Sequence, residues 1–359
     1  MRLWKKPVIY GRRRVKMSIW LFRAGSKGEY EEKFLSEGRV YLTWNDLEID
    51  LNEYEERESL FEQVEEIYSG EKPNTLKNWV SQIYPIAHRM KIGDWVVLPS
   101  KRTRTIHIGK ITGDYVYDES LGNPYYHYRT VDWFAKDIPR NNFDQDILYS
   151  FGAFMTVCKI SRNDAEKRIK EMKKNDWKVP ANAAAVFQDA DDSDINSATN
   201  LQDAIYDSIS KYIIRKFKGY KMEELIEEIL TAKGFSVFHS KRGADGGVDL
   251  LASGGDLGFR NPKICVQVKT QDTPVDRPTL DQLGGVMNNV NADYGLLVSW
   301  NGFKDSVASE EAKQFFKIRL WDSEDVINEL FENYEKMSPS IRAEIPLKHI
   351  WMLSEEESE

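Results

Sequence analysis

The sequence predicts a two-domain protein: a mixed β domain carrying helices, then an α/β domain built on a mixed central sheet. Three observations carry that expectation. Before residue 160 the chain holds six short β-type runs rich in aromatics; beyond residue 220, segments of helical and strand period alternate; and between them lies VFQDADDSDINSATN, polar, acidic and of linker composition. A chain of 359 residues is long enough for two or three cores at roughly 100–200 residues each.

Residues 1–16, MRLWKKPVIYGRRRVK, form a basic extension ahead of Met17, which opens the first convincing strand; they are either an upstream addition or a basic arm. SIWLFRAG and RVYLTW are β-type runs separated by a charged turn containing glycine. Two helical stretches follow, EYEERESLFEQVEEIYSG and KNWVSQIYPIAHRM. The strands IGDWVVLPS, TIHIGKITGDYVYD, YHYRTVDWF and FGAFMTVCKI close a first domain over residues 17–160. Residues 161–210 are expected to be a charged helix, SRNDAEKRIKEMKK, and a linker, with LQDAIYDSISKYIIRKFKGYK a helix leading into the second domain, residues 211–359. There KMEELIEEILTAKG is a helix stopped by Gly234; FSVFHS, VDLLAS, ICVQVKT, YGLLVSW and IRLWD are strands; TLDQLGGVMNNV, DSVASEEAKQFFK and SEDVINELFENYEKM are helices.

Composition narrows the function. A net charge of −8 excludes a surface coated in positive charge for indiscriminate nucleic-acid binding, though not local patches. Two are visible: the amino-terminal arm, and KYIIRKFKGYK with Lys211, Arg215, Lys216, Lys218 and Lys221. A charge run of this kind is first of all a solvated face. The two cysteines, Cys158 and Cys265, lie inside apolar runs, and the five histidines have no zinc spacing, which suits a reducing cytoplasm. No stretch nears the ~18 consecutive apolar residues of a membrane span.

The residue types that carry chemistry sit in the second domain. At about 100° per residue, Met222, Leu225, Ile226, Ile229 and Leu230 share an apolar arc; Glu223 falls at its rim, aimed at the sheet edge, whereas Glu224 projects to water. In GADGGVDLLAS the chain turns at Gly246 and Gly247 and enters a strand where one carboxylate, Asp249, stands among apolar neighbours. Gln267 and Lys269 share one side of their strand, and Ile264, Val266 and Val268 the other. A carboxylate, an amide and an ammonium on one face pack poorly but suit phosphodiester hydrolysis. Asp249, a second oxygen such as that of Gln267, and the carbonyl of Val268 are expected to hold Mg²⁺, for which Mn²⁺ can substitute, and Lys269 orients water or stabilises developing charge.

"MEELIEEILTAKGF", "GADGGVDLLA" and "VQVKT", in that order, resemble the catalytic domain of Mrr-type restriction endonucleases of the PD-(D/E)xK superfamily. The likeness spans residues 211 to 335 and extends through "PVDRPTLDQLGGVMNNVNADYGLLVSWNGF". It implies a restriction-endonuclease-like α/β fold, with Asp249, Gln267 and Lys269 as catalytic core and Glu223 as the helix acid. Gln267 stands where the superfamily pattern has an acid, a variation found among Mrr-like enzymes that removes one negative metal ligand.

In the first domain, "NWVSQIYPIAHRMKIGDWVVLPSKRTRTIHIGKITGDYVYD" is similar to the PUA-like family that includes EVE domains, which implies a β-barrel with helices that inspects bases. Large aromatics fill a small core first. The alternative is a pocket in which a flipped base stacks, and Trp20, Trp44, Trp79 and Trp95 are its candidates, with Arg23, Lys101, Arg102 and Arg104 meeting phosphate. Together the two likenesses imply a modification-dependent, Mg²⁺-dependent endonuclease acting on double-stranded, modified DNA as part of anti-phage defence. It would work as a homodimer or by pairing on DNA, since two strands need two sites. Two alternatives stay open: an anti-phage nuclease acting on RNA or other invader nucleic acid, and a catalytically inactive nucleic-acid-binding module.

Overall fold

The structure is a computed structural model that describes residues 17–152, 155–177, 198–240 and 247–349. The basic extension, most of the acidic linker, and the Asp245–Gly246 part of the expected turn lie outside them.

The front half holds strands β1 (Ile19–Phe22), β2 (Arg39–Leu42), β3 (Trp95–Pro99), β4 (Thr105–Ile111), β5 (Val116–Tyr117), β6 (His127–Pro139) and β7 (Val157–Ile160). They form one sheet in the order β2-β6-β4-β3-β1-β7, with β5 on β6. Its helices are α1 (Glu31–Glu37), α2 (Arg57–Ile67), α3 (Pro73–His88), α4 (Gln145–Phe151) and α5 (Ala165–Lys174). Every residue of β1 and β3 is buried, because the sheet is covered on both faces. Trp20, Phe22, Val96 and Leu98 join the core under α1, α2 and α3; Ile19, Leu21, Trp95 and Val97 join a second core under α4 and α5. Two buried faces explain why IWLF and WVVLP are unbroken apolar runs rather than alternating ones. They also change the expected barrel into a half-barrel: the strand path has two ends, β2 and β7, and a sheet sandwiched by helices has no interior to enclose. Where β4 crosses β6, a Cβ on Gly109 would lie 2.3 Å from Val131 Cγ1, so only glycine lets the strands approach.

The rear half has β8 (Ser236–His239), β9 (Leu250–Gly254), β10 (Arg260–Lys269), β11 (Tyr294–Ser299) and β12 (Ile318–Trp321), ordered β12-β11-β10-β9-β8. The β10–β11–β12 pairs are parallel and the β8–β9–β10 pairs antiparallel, the expected mixed sheet. The helices are α6 (Ala198–Lys216), α7 (Tyr220–Ala232), α8 (Arg277–Asn289), α9 (Asp305–Ala308), α10 (Glu311–Gln314), α11 (Ser323–Asn333) and α12 (Pro339–Glu344). α7 and α11 cover the face bearing Leu250, Val266 and Val298; α8 covers the face bearing Cys265 and Leu297.

Two helices redraw the expected boundaries. α5 is the expected charged helix, but it packs on the front half: Ala165, Ile169 and Met172, one turn apart on one stripe, are buried in the front core. α6 runs unbroken across residue 211 and serves both halves. Its Ile213, and Phe217 just past its end, enter the rear core, while Asp207 forms a buried two-pronged ion pair with Arg140 of the front half at 2.7 and 2.9 Å. Ser210 Oγ donates to Asn141 Oδ1 (3.0 Å) and Lys211 Nζ to the Phe143 carbonyl (2.6 Å). Burial pushes the Lys211 ammonium down to about 8, so this member of the basic run is an interface residue and not a surface cation.

Candidate active site

The site is assembled at the end of β10. Pairing of Leu250 with Val266 and Leu251 with Cys265 brings Asp249, one residue ahead of β9, alongside Gln267. The Asp249 amide donates to the Val266 carbonyl at 3.2 Å, and its carboxylate Oδ2 accepts the Val268 amide at 2.6 Å. Gly247, at φ +87°, makes the turn into this strand, a conformation that side chains resist. Its carbonyl accepts Gln267 Nε2 at 3.1 Å. Gln267 is 2% exposed, and its Oε1 is buried with no hydrogen-bond partner among the described residues. A buried acceptor left unpaired costs about 1–3 kcal/mol. An orphaned amide oxygen beside a carboxylate is a hard-oxygen donor set, so the residues present fit Mg²⁺ or Mn²⁺. Lys269 ends β10, half-buried, its backbone carbonyl accepting the Trp300 amide at 3.0 Å.

The structure thus joins Asp249, Gln267 and Val268 and places Lys269 two residues on, along the same strand. The contact it records from Val268 to Asp249 is through the amide, where the sequence had suggested its carbonyl as a metal ligand. Glu223 has a different company. From the first turn of α7 its carboxylate meets His239 Nε2 at 3.0 Å, and Glu227 meets His239 Nδ1 at 2.7 Å. Tyr220 stacks on the same imidazole, ring centres 4.4 Å apart. Burial works to lower the His239 pKa, but the two carboxylates outweigh it and hold the ring's pKa above its ordinary value. Among the described residues, no group of three or more His, Cys, Asp or Glu is placed to hold a metal. Glu224, expected in water, is half-buried. His239 escaped the sequence reading; the four-residue spacing of Glu223 and Glu227, which sets both carboxylates on one helix face, was the available cue.

The four tryptophans do not share a pocket. Trp20 is 4% exposed in one front core, its Nε1 donating to the buried Asp94 at 3.0 Å. Trp95 lies in the other core, on the opposite sheet face, edge-on to Phe134. Trp44 and Trp79 are half-buried against the first core, Trp79 edge-on to Tyr68. Aromatic area was taken up by packing, because a sheet buried on both faces has two cores to fill.

The expected phosphate ligands also divide. Arg23 donates to the Phe151 carbonyl at 3.1 Å. Arg104 reaches into the rear half, bonded to Glu324 at 3.0 Å with its guanidinium 5.0 Å from the Tyr206 ring centre. Lys101 and Arg102 are exposed on the β3–β4 loop, Arg102 3.7 Å from Glu32. The loop is pinned at its base by buried Glu31, which accepts from Ser100 Oγ at 2.8 Å and faces His107 Nε2 at 3.3 Å. Burial alone would raise the Glu31 pKa; the His107 and Ser100 hydrogen bonds prevail and lower it.

Residues 214–330 match the Mrr_cat family model, described as restriction endonuclease, and residues 18–160 match a domain family of unknown function. No curated protein matches the chain. Among solved structures it is similar to the DNA modification-dependent restriction endonuclease AspBHI. The two share 11% identity, with 70% of this chain and 68% of that one covered at a TM-score of 0.32. The MspJI restriction endonuclease in complex with a 27-mer oligonucleotide is similar at 12% identity, with 86% and 73% covered and a TM-score of 0.30. A protein of unknown function, AF1548, is similar at 12% identity, with 30% and 65% covered and a TM-score of 0.25. Similarity at that level assigns no activity. The family match does not depend on it, and it covers the strands and helices that carry Glu223, Asp249, Gln267 and Lys269: the rear half of this chain carries a restriction endonuclease domain of the Mrr_cat family.

Proposed function

We propose that the chain is a Mg²⁺-dependent endonuclease acting on double-stranded DNA, with the front half reading a modified, flipped base. The observation that carries the nuclease reading is the buried Gln267 Oε1, without a hydrogen-bond partner among the described residues, at the strand position alongside Asp249 and within the segment matched as restriction endonuclease. Asp249, Gln267 and the Val268 carbonyl would hold the metal, which supplies Lewis-acid polarisation of the phosphate and a more acidic bound water. The Val268 amide holds one Asp249 oxygen, which orients the carboxylate before substrate arrives. Lys269 stabilises negative charge developing on the phosphate. Glu223, tied to His239, is the supporting acid on the helix.

Reading of a modified base rests on the likeness of the front half to PUA-like and EVE domains. Trp44 and Trp79, half-buried where Trp20 and Trp95 are enclosed, are the remaining tryptophan candidates for stacking. Lys101 and Arg102 are the exposed cations of that half's basic loop. Cutting both strands calls for a homodimer or pairing on DNA. Cytoplasmic placement accords with two free cysteines, and no described helix is long and apolar enough to cross a membrane.

The test is cleavage of matched duplexes, unmodified and carrying modified cytosine or adenine, with Mg²⁺ or EDTA, using the native chain, Asp249→Ala and Lys269→Ala. Metal-dependent cutting of modified DNA alone, lost in both variants, is expected. Cutting indifferent to modification would remove the reader. Absence of any cutting would leave RNA substrates and then the inactive binding module.

A further inference from the structure

The basic run at the α6–α7 junction is sorted by the fold. Lys211 turns into the interface, whereas Arg215, Lys216, Lys218 and Lys221 are exposed. Within seven residues of an acidic protein, four cations therefore face solvent together. Their position is fixed relative to the active site: the Gly219 amide donates to Thr270 Oγ1 at 3.0 Å, and Lys218 Nζ lies 2.9 Å from Asp272. Thr270 directly follows Lys269. On the other side Tyr220 stacks on His239, the partner of Glu223.

We propose that Arg215, Lys216, Lys218 and Lys221 hold the phosphate backbone of a DNA duplex next to the phosphate being cut. This rests on the nuclease reading above and names the surface that reading requires. The existing contacts of these residues do not compete strongly. Arg215 and Lys216 lie 5.7 and 5.1 Å from the Tyr212 ring centre, which presents both heads at the surface. The Lys218–Asp272 and Lys221–Glu344 pairs are solvent-exposed at both partners. Surface pairs of this kind are weak and screened by salt, so a phosphate can replace either carboxylate. A duplex carries one charge per roughly 1.7 Å of axis, and each neutralised phosphate releases condensed counterions.

That release supplies a readout separate from catalysis. The full chain is titrated into a fluorescein-labelled DNA duplex in EDTA, at several salt concentrations, and affinity is plotted logarithmically against salt. Each of Arg215→Gln, Lys216→Gln, Lys218→Gln and Lys221→Gln should flatten the slope by about 0.9, and the fourfold variant by roughly 3 to 4. Lys313→Gln, on α10 beside the far edge strand, should leave the slope as it is. Circular dichroism and melting verify that the fourfold variant is folded. A folded fourfold variant with the native slope would overturn this surface while leaving the nuclease reading standing. No salt-dependent binding of DNA by the native chain would overturn both.

Discussion

The two halves treat their conspicuous residues in opposite ways. In the front half the conspicuous residues are tryptophans, and the fold consumes them: Trp20 and Trp95 fill separate cores on opposite faces of one sheet. In the rear half they are polar groups on apolar strands, and the fold gathers them: the strand register sets Asp249 alongside Gln267, the Val268 amide donates to the Asp249 carboxylate, and Gln267 Oε1 has no hydrogen-bond partner among the described residues. The difference teaches which residue types report function. An aromatic ring gains free energy by burial anywhere, so its presence is explained by packing. A buried amide oxygen without a partner loses free energy, and its presence asks for a ligand.

The sharpest way to break the comparison is to remove the ring that is read as core. Trp20→Ala should destabilise the chain by about 3–5 kcal/mol in urea denaturation, since Trp20 also gives buried Asp94 one of its three donors, the others being the Ser18 and Lys91 amides. A near-native midpoint with lost base recognition would return Trp20 to a pocket. The seam between the halves comes next. Arg140→Ala strands Asp207, 4% exposed, and should cost about 3–5 kcal/mol; adding Asp207→Leu should recover part of it.

At the rear, Lys269→Ala should slow DNA cleavage by about 10²–10³-fold with the melting temperature held. A stability loss of the size expected for Trp20 would make Lys269 a structural residue instead. A fourth test uses His127 in the front core, wholly buried between the Tyr115 hydroxyl at 2.8 Å and the Leu47 carbonyl at 2.7 Å. Burial lowers its pKa from 6.5 to about 4. The folded ring stays neutral while the unfolded one takes a proton, so this contribution is complete above pH 6.5 and is lost as pH falls toward 4. The loss is up to about 3 kcal/mol. Urea denaturation across pH should show that slope, and His127→Gln should remove it. Smallest is Lys101→Ala on the exposed loop, within about 0.5 kcal/mol in stability; a larger loss would show that the loop is part of the core.

Much of the element order was legible. Strand runs such as IWLF, WVVLP and ICVQVK, and the helix KMEELIEEIL, stand where their apolar patterns put them. The short helices α1, α4 and α12 were not, since six or seven residues present too little period to detect. α5 was misplaced because KRIKEMKK shows its charge more openly than its three-residue buried stripe. The antiparallel approach of Asp249 to Gln267 was inferable from two strand patterns and a glycine turn. His239 against Glu223 and Glu227 was not, because nothing local to SVFHS names the helix that will cover it.

By itself the sequence determined the local terms: periodicity, the glycine turn, two residues on one strand face, and the order of the acid, amide and lysine. Those depend on backbone geometry over a few residues. Only the tertiary structure decided which charges stay at the surface. Arg104, Arg140 and Lys211 look like any other cations along the chain, yet each is drawn into the seam between the halves. A charge's fate is set by the dielectric and the partners around it, and those come from segments distant in sequence.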